Sequence, residues 1–463
     1  MLRKWQSECV EQALKLYLSG HTHFQIQATP GSGKTITAAT IAKKLFDLDK
    51  IDLVLCFSPS LTIAEGTQRT FEWQFDCSFN GGLGSVGATF TYQCMKHIKT
   101  SFWETIKKYR LFVVFDEVHH CAGNDIENSN VWGEQILSKI HDIAQYTLSL
   151  SGTPWRSDAQ PITLAKYSDN EQCILCDYQY SLKQSIEDRV CRSPKIVLVD
   201  NERLSITESS EHKSFFSISE LLKRSSVPYK NIIQHDEACI YILGLACKKL
   251  SQIRTDNPNA GGLVVASSVA HAVAIQKMLN ETFQQSTAIV TYQHENAVET
   301  INHFRHDTTQ WIVSVGMISE GTDIPRLQVC CHLSSIKTEL YFRQVLGRIL
   351  RTNEFLNQEA WLFTFAEENL VQFAEQVEKD IPDSCLYINA QRQKDSSEYS
   401  NSENRMSSNE LDRLNLKMNG EESSFDWGKE SLDKKVRTLS TNEYSHKKLD
   451  VGSFHERVIE AFL

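Results

Sequence analysis

The sequence lacks long hydrophobic runs and an export signal. No run of apolar residues approaches the roughly 20 that a helix needs to cross a bilayer, and residues 1–5 have no apolar core of the signal-peptide type. We therefore expect a cytoplasmic protein that has no membrane partner. Its 463 residues, 41% of them hydrophobic, leave room for two or three domains that each bury a core.

Basic residues are fewer than acidic residues. Lys and Arg number 48 against 58 Asp and Glu, so the formal net charge is −10. This balance argues against a chain that coats nucleic acid by bulk attraction. It does not exclude a basic groove, because contacts to phosphates depend on local charge.

The 13 cysteines are scattered along the chain. Cys56 and Cys330 lie inside apolar runs, where a thiol acts as a small hydrophobe, and we expect the cysteines to be reduced. Cys173 and Cys176 are spaced like a pair of zinc ligands, but no second such pair follows at a suitable interval. A zinc site that includes Cys191 is kept as an alternative.

What the sequence does contain is a candidate phosphate-binding loop at residues 28–35 (ATPGSGKT). It lies between a short apolar run at 24–27 and a helical pattern at 35–48, and such a loop requires this strand–loop–helix context. Its glycines allow backbone conformations that let successive N–H groups curl around a phosphate. The N-terminus of the helix adds a favourable field for the anion.

The residues of this loop have distinct predicted roles. The backbone groups of Gly31, Ser32 and Gly33 bind phosphate oxygens, and Lys34 supplies a mobile positive charge for the terminal phosphates. The Thr35 hydroxyl is a hard ligand suited to Mg²⁺. The loop therefore predicts a site for ATP together with Mg²⁺.

An acidic pair supplies the second half of the predicted site. Asp116 and Glu117 follow an apolar run at 111–115 that is short enough to be a buried parallel strand. In doubly wound folds ligands bind at the carboxyl ends of strands, so Asp116 could hold the metal while Glu117 positions and deprotonates the attacking water. A glycine-rich loop alone is often only a turn, and an acidic pair alone is usually a solvated surface. In this order they predict an enzyme that hydrolyses ATP.

Two arrays of apolar runs, with helical patterns between them, indicate two lobes that each contain a parallel sheet and crossover helices. The runs of the first array are at 24–27, 52–57, 111–115 and 146–150, and those of the second are at 262–267, 288–292, 311–315, 329–333 and 361–365.

Polar stretches mark the predicted domain boundaries. The sequence is serine-rich at about 200–235, and Ser, Asn, Glu and Lys dominate beyond about residue 380. Helical spacing at 454–463 suggests a terminal helix that could dock. The predicted domains are an ATP-binding domain at 1–190, a linker or small insertion at 191–235, a second domain at 236–380 and a polar, largely disordered tail at 381–463.

Further segments stand in a characteristic order around the two motifs. They are residues 2–6 (LRKWQ), 57–60 (FSPS), 89–93 (TFTYQ), 151–156 (SGTPWR), 320–325 (EGTDIP) and 344–351 (QVLGRILR). With these segments the chain resembles a superfamily 2 helicase that has a DEVH variant of the DEAD/DEAH box, over roughly residues 2–365. The resemblance implies an α/β fold of two tandem RecA-like domains, each a parallel sheet flanked by helices, with a polar C-terminal tail.

The resemblance also implies roles for residues around the nucleotide. Gln6 would read the adenine, and Asp323 would lie toward the ribose or an arginine. Arg348 and Arg351 would reach across the cleft to the γ-phosphate as arginine fingers that stabilise transition-state charge. Their spacing from Gln344 predicts that all three lie within two turns of one helix.

Two more groups of residues follow from the resemblance. Coupling residues would link the nucleotide state to the nucleic-acid groove, and they are His119, Ser151, Thr153 and Gln344. Nucleic-acid residues would contact backbone phosphates without reading the sequence of bases, and they are Ser58, Thr91 and Thr322.

Departures from the commonest patterns favour DNA over RNA. Val118, and Trp155 with Arg156, place the chain nearer the DNA-translocating restriction and repair relatives than the RNA-specific DEAD-box group. We therefore predict an ATP-dependent DNA helicase or translocase. The alternatives are a duplex translocase subunit of a restriction or defence complex that does not separate strands, and an ATP-gated nucleic-acid clamp. The tail could bind a protein partner.

Overall fold

Short apolar strands alternate with helices along most of the chain, and the structure, a computed structural model, gathers them into two lobes. It describes residues 2–123, 129–158, 160–168, 174–208, 211–294, 296–318, 322–355, 357–379 and 447–462. Among the helices so described, none has the length and hydrophobicity to span a membrane. The larger of two compact units contains both lobes, and the smaller, residues 207–211 and 389–448, lies almost wholly outside the described residues.

The first lobe is built from alternating helices and strands. In chain order they are α1 (Lys4–Leu18), β1 (His23–Ala28), α2 (Lys34–Asp47), β2 (Leu53–Ser58), α3 (Leu61–Phe75), β3 (Gly87–Thr91), α4 (Thr100–Ile106), β4 (Leu111–Asp116), α5 (Val131–Gln135), β5 (Ala144–Ser151), β6 (Lys166–Tyr167), β7 (Ile174–Leu175), β8 (Tyr178–Tyr180) and α6 (Leu182–Glu187). A parallel sheet has the strand order β3-β2-β4-β5-β1-β8, while β6 and β7 pair separately. Short 3-10 helices follow β3 and β4, at Tyr92–His97 and Val118–His120, and a π-helix follows α5 at Ile136–Ile140.

Strand β4 shows how this sheet acquires a core on both faces. Every residue of β4 is buried, and successive side chains of a strand point to opposite faces. Phe112 and Val114 belong to the core that contains α1, α2 and α3, whereas Val113 and Phe115 belong to the core that contains α4. The carboxyl end of β4, where Asp116 lies, is thereby fixed at the centre of the sheet.

The second lobe follows the same plan. In chain order its elements are β9 (Ser193–Asn201), β10 (Leu204–Glu208), β11 (Glu211–Phe215), α7 (Ile218–Arg224), α8 (Tyr229–Ile233), α9 (Asp236–Asp256), β12 (Gly261–Ala266), α10 (Val269–Glu281), β13 (Thr287–Thr291), α11 (Ala297–His306), β14 (Trp311–Val315), β15 (Leu327–Leu333), α12 (Glu339–Ile349), β16 (Glu359–Phe365), α13 (Glu368–Glu375), β17 (Lys447–Val451) and β18 (Phe454–Glu460). The large sheet has the order β13-β14-β12-β15-β16-β9-β18, and β18 is its antiparallel strand. Two lobes with sheets and crossover helices confirm the predicted α/β class.

The linker predicted at 191–235 is wrong where it includes β9. This strand pairs in parallel with β16, from Ser193 opposite Glu359 to Val199 opposite Phe365. Its apolar run is short and is followed by polar sequence, so composition averaged over the region concealed it. The first strand of the second lobe therefore begins directly after the first lobe ends.

The helix predicted at 454–463 is also wrong, because this segment forms β18. It pairs with β9 from Phe454 opposite Asn201 to Glu460 opposite Lys195, and the Phe454 ring stacks on Tyr241 at 4.7 Å between centroids. The free edge of β9 supplies hydrogen-bond partners, and such tertiary pairing outweighs local preference. The remainder of the predicted tail, residues 381–446, lies outside the described residues.

We predict that the second lobe needs β18 for stability. Truncation after Ser453 exposes the edge of β9, so the melting temperature should fall by several degrees and association should increase. Ile459→Asp, which places a charge against the core, should also lower the melting temperature, whereas Val458→Asp at a position 47% exposed should not. Calorimetry and light scattering measure both effects. Unchanged melting of the truncated chain would contradict the prediction.

We also predict acid sensitivity of the second lobe through His332 on β15. Burial lowers the pKa of His332 to about 4, below the value of an exposed histidine. Below about pH 6.5 the unfolded chain therefore binds a proton that the folded lobe does not, so the free energy of unfolding falls by roughly 1 kcal/mol per pH unit until about pH 4. Urea unfolding of the wild type and of His332→Leu at several pH values should give a smaller pH slope in the variant. Equal slopes would refute the role of His332.

Candidate active site

The loop between β1 and α2 has the backbone geometry expected of a phosphate-binding loop. Gly31 and Gly33 have φ angles of 83° and 99°, in the left-handed region that side chains disfavour. A Cβ atom at Gly31 would lie 2.9 Å from Cγ of Arg351. Glycine at position 31 thus suits both the turn and the close approach of the second lobe. Ser32 between the glycines is buried.

Lys34, the first residue of α2, is buried between the loop and the acidic pair. Its Nζ donates to the carbonyl oxygen of Ala28 at 3.1 Å and lies 3.5 Å from Oε1 of Glu117. Asp116 ends β4, and its Oδ1 accepts the backbone N–H of Glu117 at 3.1 Å. The cation and the two carboxylates that the sequence assigned to one site are neighbours.

The backbone of Glu117 has a conformation that is uncommon for residues other than glycine. Its φ of 48° lies in the left-handed region, where a residue with a side chain is uncommon. Its Oε2 accepts the hydroxyl of Ser151 and the backbone N–H of Gly152, both at 3.4 Å. Strain of this kind costs about 1–3 kcal/mol and persists where surrounding contacts determine the conformation. The carboxylate is therefore held in one orientation by groups at the end of β5.

A chain of side chains connects Glu117 to the second lobe. Nδ1 of His119 lies 2.9 Å from Oγ of Ser151, and Nε2 of His119 lies 3.5 Å from Nε2 of Gln344 on α12. An amide nitrogen only donates, so Nε2 of His119 accepts and Nδ1 carries the proton in this network. Oγ of Ser151 then accepts the hydrogen bond from Nδ1 of His119, and its hydroxyl donates to Oε2 of Glu117. Thr153 joins through its backbone N–H, which donates to Ser151 at 3.1 Å, so the four predicted coupling residues are in one network.

The predicted pair of arginines converges on one carbonyl group. Nη1 of Arg348 and Nη1 of Arg351 donate to the carbonyl oxygen of Thr322, at 2.9 and 2.5 Å. Arg351 also donates to Oδ1 of Asp323 at 2.6 Å. Burial lowers the pKa of Arg351 from its ordinary value, and Asp323 opposes this shift. Both guanidinium groups remain cations at neutral pH.

The prediction that Gln344, Arg348 and Arg351 share one helix is wrong for Arg351. Helix α12 ends at Ile349, and Arg351 forms an isolated antiparallel β-bridge with Cys191. The spacing alone did not reveal where α12 ends, because the end of the helix depends on pairing with Cys191, which is distant in the sequence. The bridge fixes the backbone of Arg351 against the connection between the lobes.

Both lobes line a cleft of about 570 Å³, a volume within the range of small-molecule sites. The predicted residues that line it are Gly31, Gly33, Lys34, Thr35, Asp116, Glu117, Asp323, Arg348 and Arg351. The coupling residues do not line the cleft and lie behind Glu117. The cleft thus combines a glycine-rich loop, a lysine and carboxylates from one lobe with two arginines from the other.

Gln6 is held by the protein itself. Its Oε1 accepts the backbone N–H of Arg3 at 2.8 Å, and its Nε2 donates to the carbonyl oxygen of Gly33 at 3.1 Å. Nη1 of Arg3 donates to the carbonyl oxygen of Ser32 at 2.6 Å. Gln6 therefore supports the phosphate loop from behind, and its reading of adenine stays a prediction.

Thr35 and Asp116 both line the cleft and fit a Mg²⁺ ion that also binds phosphates, since hydroxyl and carboxylate oxygens are the ligands this ion prefers. Within the described residues, no group of three or more His, Cys, Asp or Glu side chains could hold a metal by itself. Cys173 of the alternative zinc site lies outside the described residues. Cys191 contacts the carbonyl oxygen of Pro30 at 3.7 Å instead.

The predicted nucleic-acid residues are not on the surface. Ser58 and Thr322 are 0% and 3% exposed, and Thr91 is 5% exposed and donates its hydroxyl to Sγ of Cys94. Ser58 and Thr91 end strands, as the motifs require, but buried hydroxyls cannot touch a phosphate in this conformation. Their role stays a prediction, and exposed neighbours are better placed for such contacts.

Two polar cleft residues of α11 are among those that escaped the sequence analysis. Asn302 and Arg305 of α11 line the cleft. Nε of Arg305 donates to the carbonyl oxygen of Asp323 at 2.7 Å, and its Nη1 donates to Oδ1 of Asn302 at 3.1 Å. Both lie outside the recognised segments. The available sequence signal was the spacing of two polar residues three apart on a helix.

Comparison with known families matches residues 1–156 to the res subunit of type III restriction enzymes and residues 246–353 to the helicase conserved C-terminal domain. An uncharacterized protein of Mycobacterium leprae is 29% identical over 392 residues, which cover 81% of this chain and 64% of that protein. The chain therefore spans less than two thirds of the length of this relative.

Solved structures show the same fold at low identity. A fragment of a candidate HsdR subunit of a type I restriction enzyme from Vibrio vulnificus has a TM-score of 0.56 at 16% identity and covers 82% of this chain and 67% of that one. The type ISP restriction-modification enzyme LlaBIII bound to DNA has a TM-score of 0.50 at 16% identity. The match covers 78% of this chain and 27% of that one. A variant of S. cerevisiae Dbp5 bound to RNA and ADP BeF3 has a TM-score of 0.50 at 12% identity and covers 82% of this chain and 88% of that one.

The two family matches support a superfamily 2 helicase-like protein, and the solved structures share its fold. They confirm the predicted arrangement of two tandem RecA-like domains. Helicase-type ATPase domains of this kind use ATP with Mg²⁺.

We predict that Lys34→Ala and Glu117→Gln fail differently. Lys34→Ala removes a charge from the phosphate loop, so nucleotide affinity and hydrolysis should both fall. Glu117→Gln keeps the hydrogen-bonding shape but loses the base, so it should bind ATP normally while turnover falls by about 10²-fold or more. Fluorescent-nucleotide titration and phosphate release measure the two quantities. Glu104→Gln, on the exposed surface of α4, is the control, and wild-type turnover in Glu117→Gln would refute the assignment.

Proposed function

We propose that this superfamily 2 helicase-like protein is a nucleic-acid-dependent ATPase that moves along DNA. One observation carries the proposal: Arg351 of the second lobe lies against Gly31 of the phosphate loop, in the same cleft as Lys34 and Glu117. A site completed by two lobes makes hydrolysis depend on their relative position. Motion of the lobes is what a translocase requires.

The residues of the cleft suit ATP with Mg²⁺. Lys34 and the loop amides would hold the phosphates, while Thr35 and Asp116 would hold the metal ion, which neutralises charge on the phosphate oxygens. Glu117 would position a water molecule and take its proton. Arg348 and Arg351 would stabilise the charge that develops on the γ-phosphate.

The network from Gln344 to Glu117 supports coupling between the lobes. It passes through His119 and Ser151, so a shift of α12 alters the hydrogen bonds of the catalytic carboxylate. We infer that nucleic acid bound to the second lobe favours the position of α12 at which this network forms. A bound strand would thereby raise turnover without touching the nucleotide.

The restriction-enzyme matches favour DNA as the substrate. The match to the res subunit of type III restriction enzymes covers the first lobe, and the LlaBIII structure contains DNA, whereas the Dbp5 structure contains RNA. Exposed Lys96 and Lys99 follow β3, and within the described residues neither has an ion-pair partner. These lysines are suitable contacts for backbone phosphates, which position a strand without reading its bases.

Two other functions would use the same cleft. A duplex translocase would displace a third strand from a triplex without separating a duplex, and an ATP-gated clamp would do neither. ATPase, strand-displacement and triplex-displacement assays on the same protein therefore distinguish the three. The restriction-enzyme neighbours give the duplex translocase specific support.

We predict that DNA stimulates the ATPase at least several-fold, more than RNA of the same length. Binding should weaken steeply with salt, because each bound phosphate releases counterions. Replacing Lys96 and Lys99 together by Ala should lower the salt slope by about 0.7–0.9 for each phosphate that the variant no longer binds, while Lys277→Ala on α10 serves as a matched surface control. Phosphate release and fluorescence anisotropy at several salt concentrations provide the data. An ATPase indifferent to every DNA and RNA would refute the proposed function.

A further inference from the structure

Arg192 is a fully buried cation in the connection between the two lobes, with none of its surface exposed. Its guanidinium group is hydrogen-bonded to neutral oxygens and, in the described part of the chain, to no carboxylate. Burial lowers the pKa of Arg192 to about 9, so the group remains charged at neutral pH. A buried charge that lacks a counter-charge is costly unless hydrogen bonds compensate it. The buried position of Arg192 is therefore stable only because its hydrogen bonds offset the cost of burying the charge.

The acceptors of this guanidinium group come from three segments of the second lobe. Nη1 donates to the carbonyl oxygens of Leu327 and Ile349 at 2.7 and 3.2 Å, and Nη2 donates to that of Pro325 at 3.1 Å. Nε donates to Oε1 of Gln358 at 3.3 Å. Pro325 and Leu327 follow the segment that bears Thr322, and Ile349 ends α12, so one side chain joins the two segments that form the arginine site.

The backbone around Arg192 holds the same helix end. The N–H of Arg192 donates to the carbonyl oxygen of Leu350 at 2.7 Å, and Cys191 forms the β-bridge with Arg351. The last carbonyls of a helix have no partner inside it and carry partial negative charge. Arg192 thus caps α12 with both hydrogen bonds and positive charge.

The segment that bears Thr322 and the end of α12 are therefore joined by two separate sets of hydrogen bonds. On the cleft side, Arg348 and Arg351 donate to the carbonyl oxygen of Thr322. On the buried side, Arg192 donates to Pro325 and Leu327, which follow Thr322, and to Ile349, which follows Arg348. We propose that Arg192 is a positioning residue that sets where Arg348 and Arg351 stand relative to the phosphate loop. This inference rests on the proposed function, because it assigns those two arginines to ATP.

A lysine at this position could not replace the arginine. Its single ammonium group cannot span acceptors from three segments, whereas the planar guanidinium presents donors in a fixed fork. Arg192→Lys keeps the charge and removes the bridge, which makes it the informative variant. Arg326→Lys is the control, since Arg326 is 7% exposed and donates to the carbonyls of Asn259, Phe304 and Thr309 rather than to α12. Unlike Arg192, it also has a carboxylate partner, Oδ1 of Asp307 at 3.6 Å.

The first test is a double-mutant cycle that measures DNA-stimulated kcat and nucleotide Kd. Arg192→Lys should lower kcat about tenfold while Kd changes less than about threefold. In the Arg351→Ala background the same change should lower kcat by a smaller factor, because only Arg348 is left for it to act through. Equal effects in both backgrounds, or the same loss of kcat in Arg326→Lys, would overturn the proposal.

The second test does not depend on turnover. Hydrogen exchange of residues 346–352 should be faster in Arg192→Lys than in the wild type and unchanged in Arg326→Lys. Unchanged exchange in Arg192→Lys, or equal acceleration in both variants, would overturn the positioning role. If the wild-type protein has no ATPase activity, the proposed function is refuted but the positioning role is not. Hydrogen exchange would still decide whether Arg192 holds the end of α12.

Discussion

Two guanidinium groups donate to the carbonyl oxygen of Thr322, and the composite cleft depends on this convergence. Like charges so close repel each other, and burial removes the water that would screen them. The carbonyl oxygen and the Asp323 carboxylate oppose that repulsion in part. A polyanion in the cleft would relieve the rest, and under the proposed function ATP would supply it.

The parts of the site that consist of consecutive residues were predictable from the sequence. The phosphate loop and the acidic pair encode their own backbone geometry through glycines and a buried strand, and both lie where the motifs required. The apolar runs likewise predicted two α/β lobes, because a parallel sheet covered by helices on both faces needs such strands.

Features that depend on pairing between distant residues were not predictable. The run that became β9 was too short to stand out from its polar surroundings, and β18 adopted the conformation that the edge of β9 imposes. The end of α12 and the bridge between Cys191 and Arg351 depend on the fold for the same reason. Motif matching also gave no indication that the hydroxyl of Ser58 is buried, since a motif specifies position along a strand but not exposure.

The pairing of Val197 with Val458 has a consequence for synthesis of the protein. These residues are separated by more than half of the chain, so the edge of β9 stays unpaired on the ribosome until β18 has emerged. Contacts of such high sequence separation form slowly, and an unpaired strand edge is prone to association with other chains. The second lobe therefore presents an unpaired strand edge during synthesis until residues 454–460 have emerged.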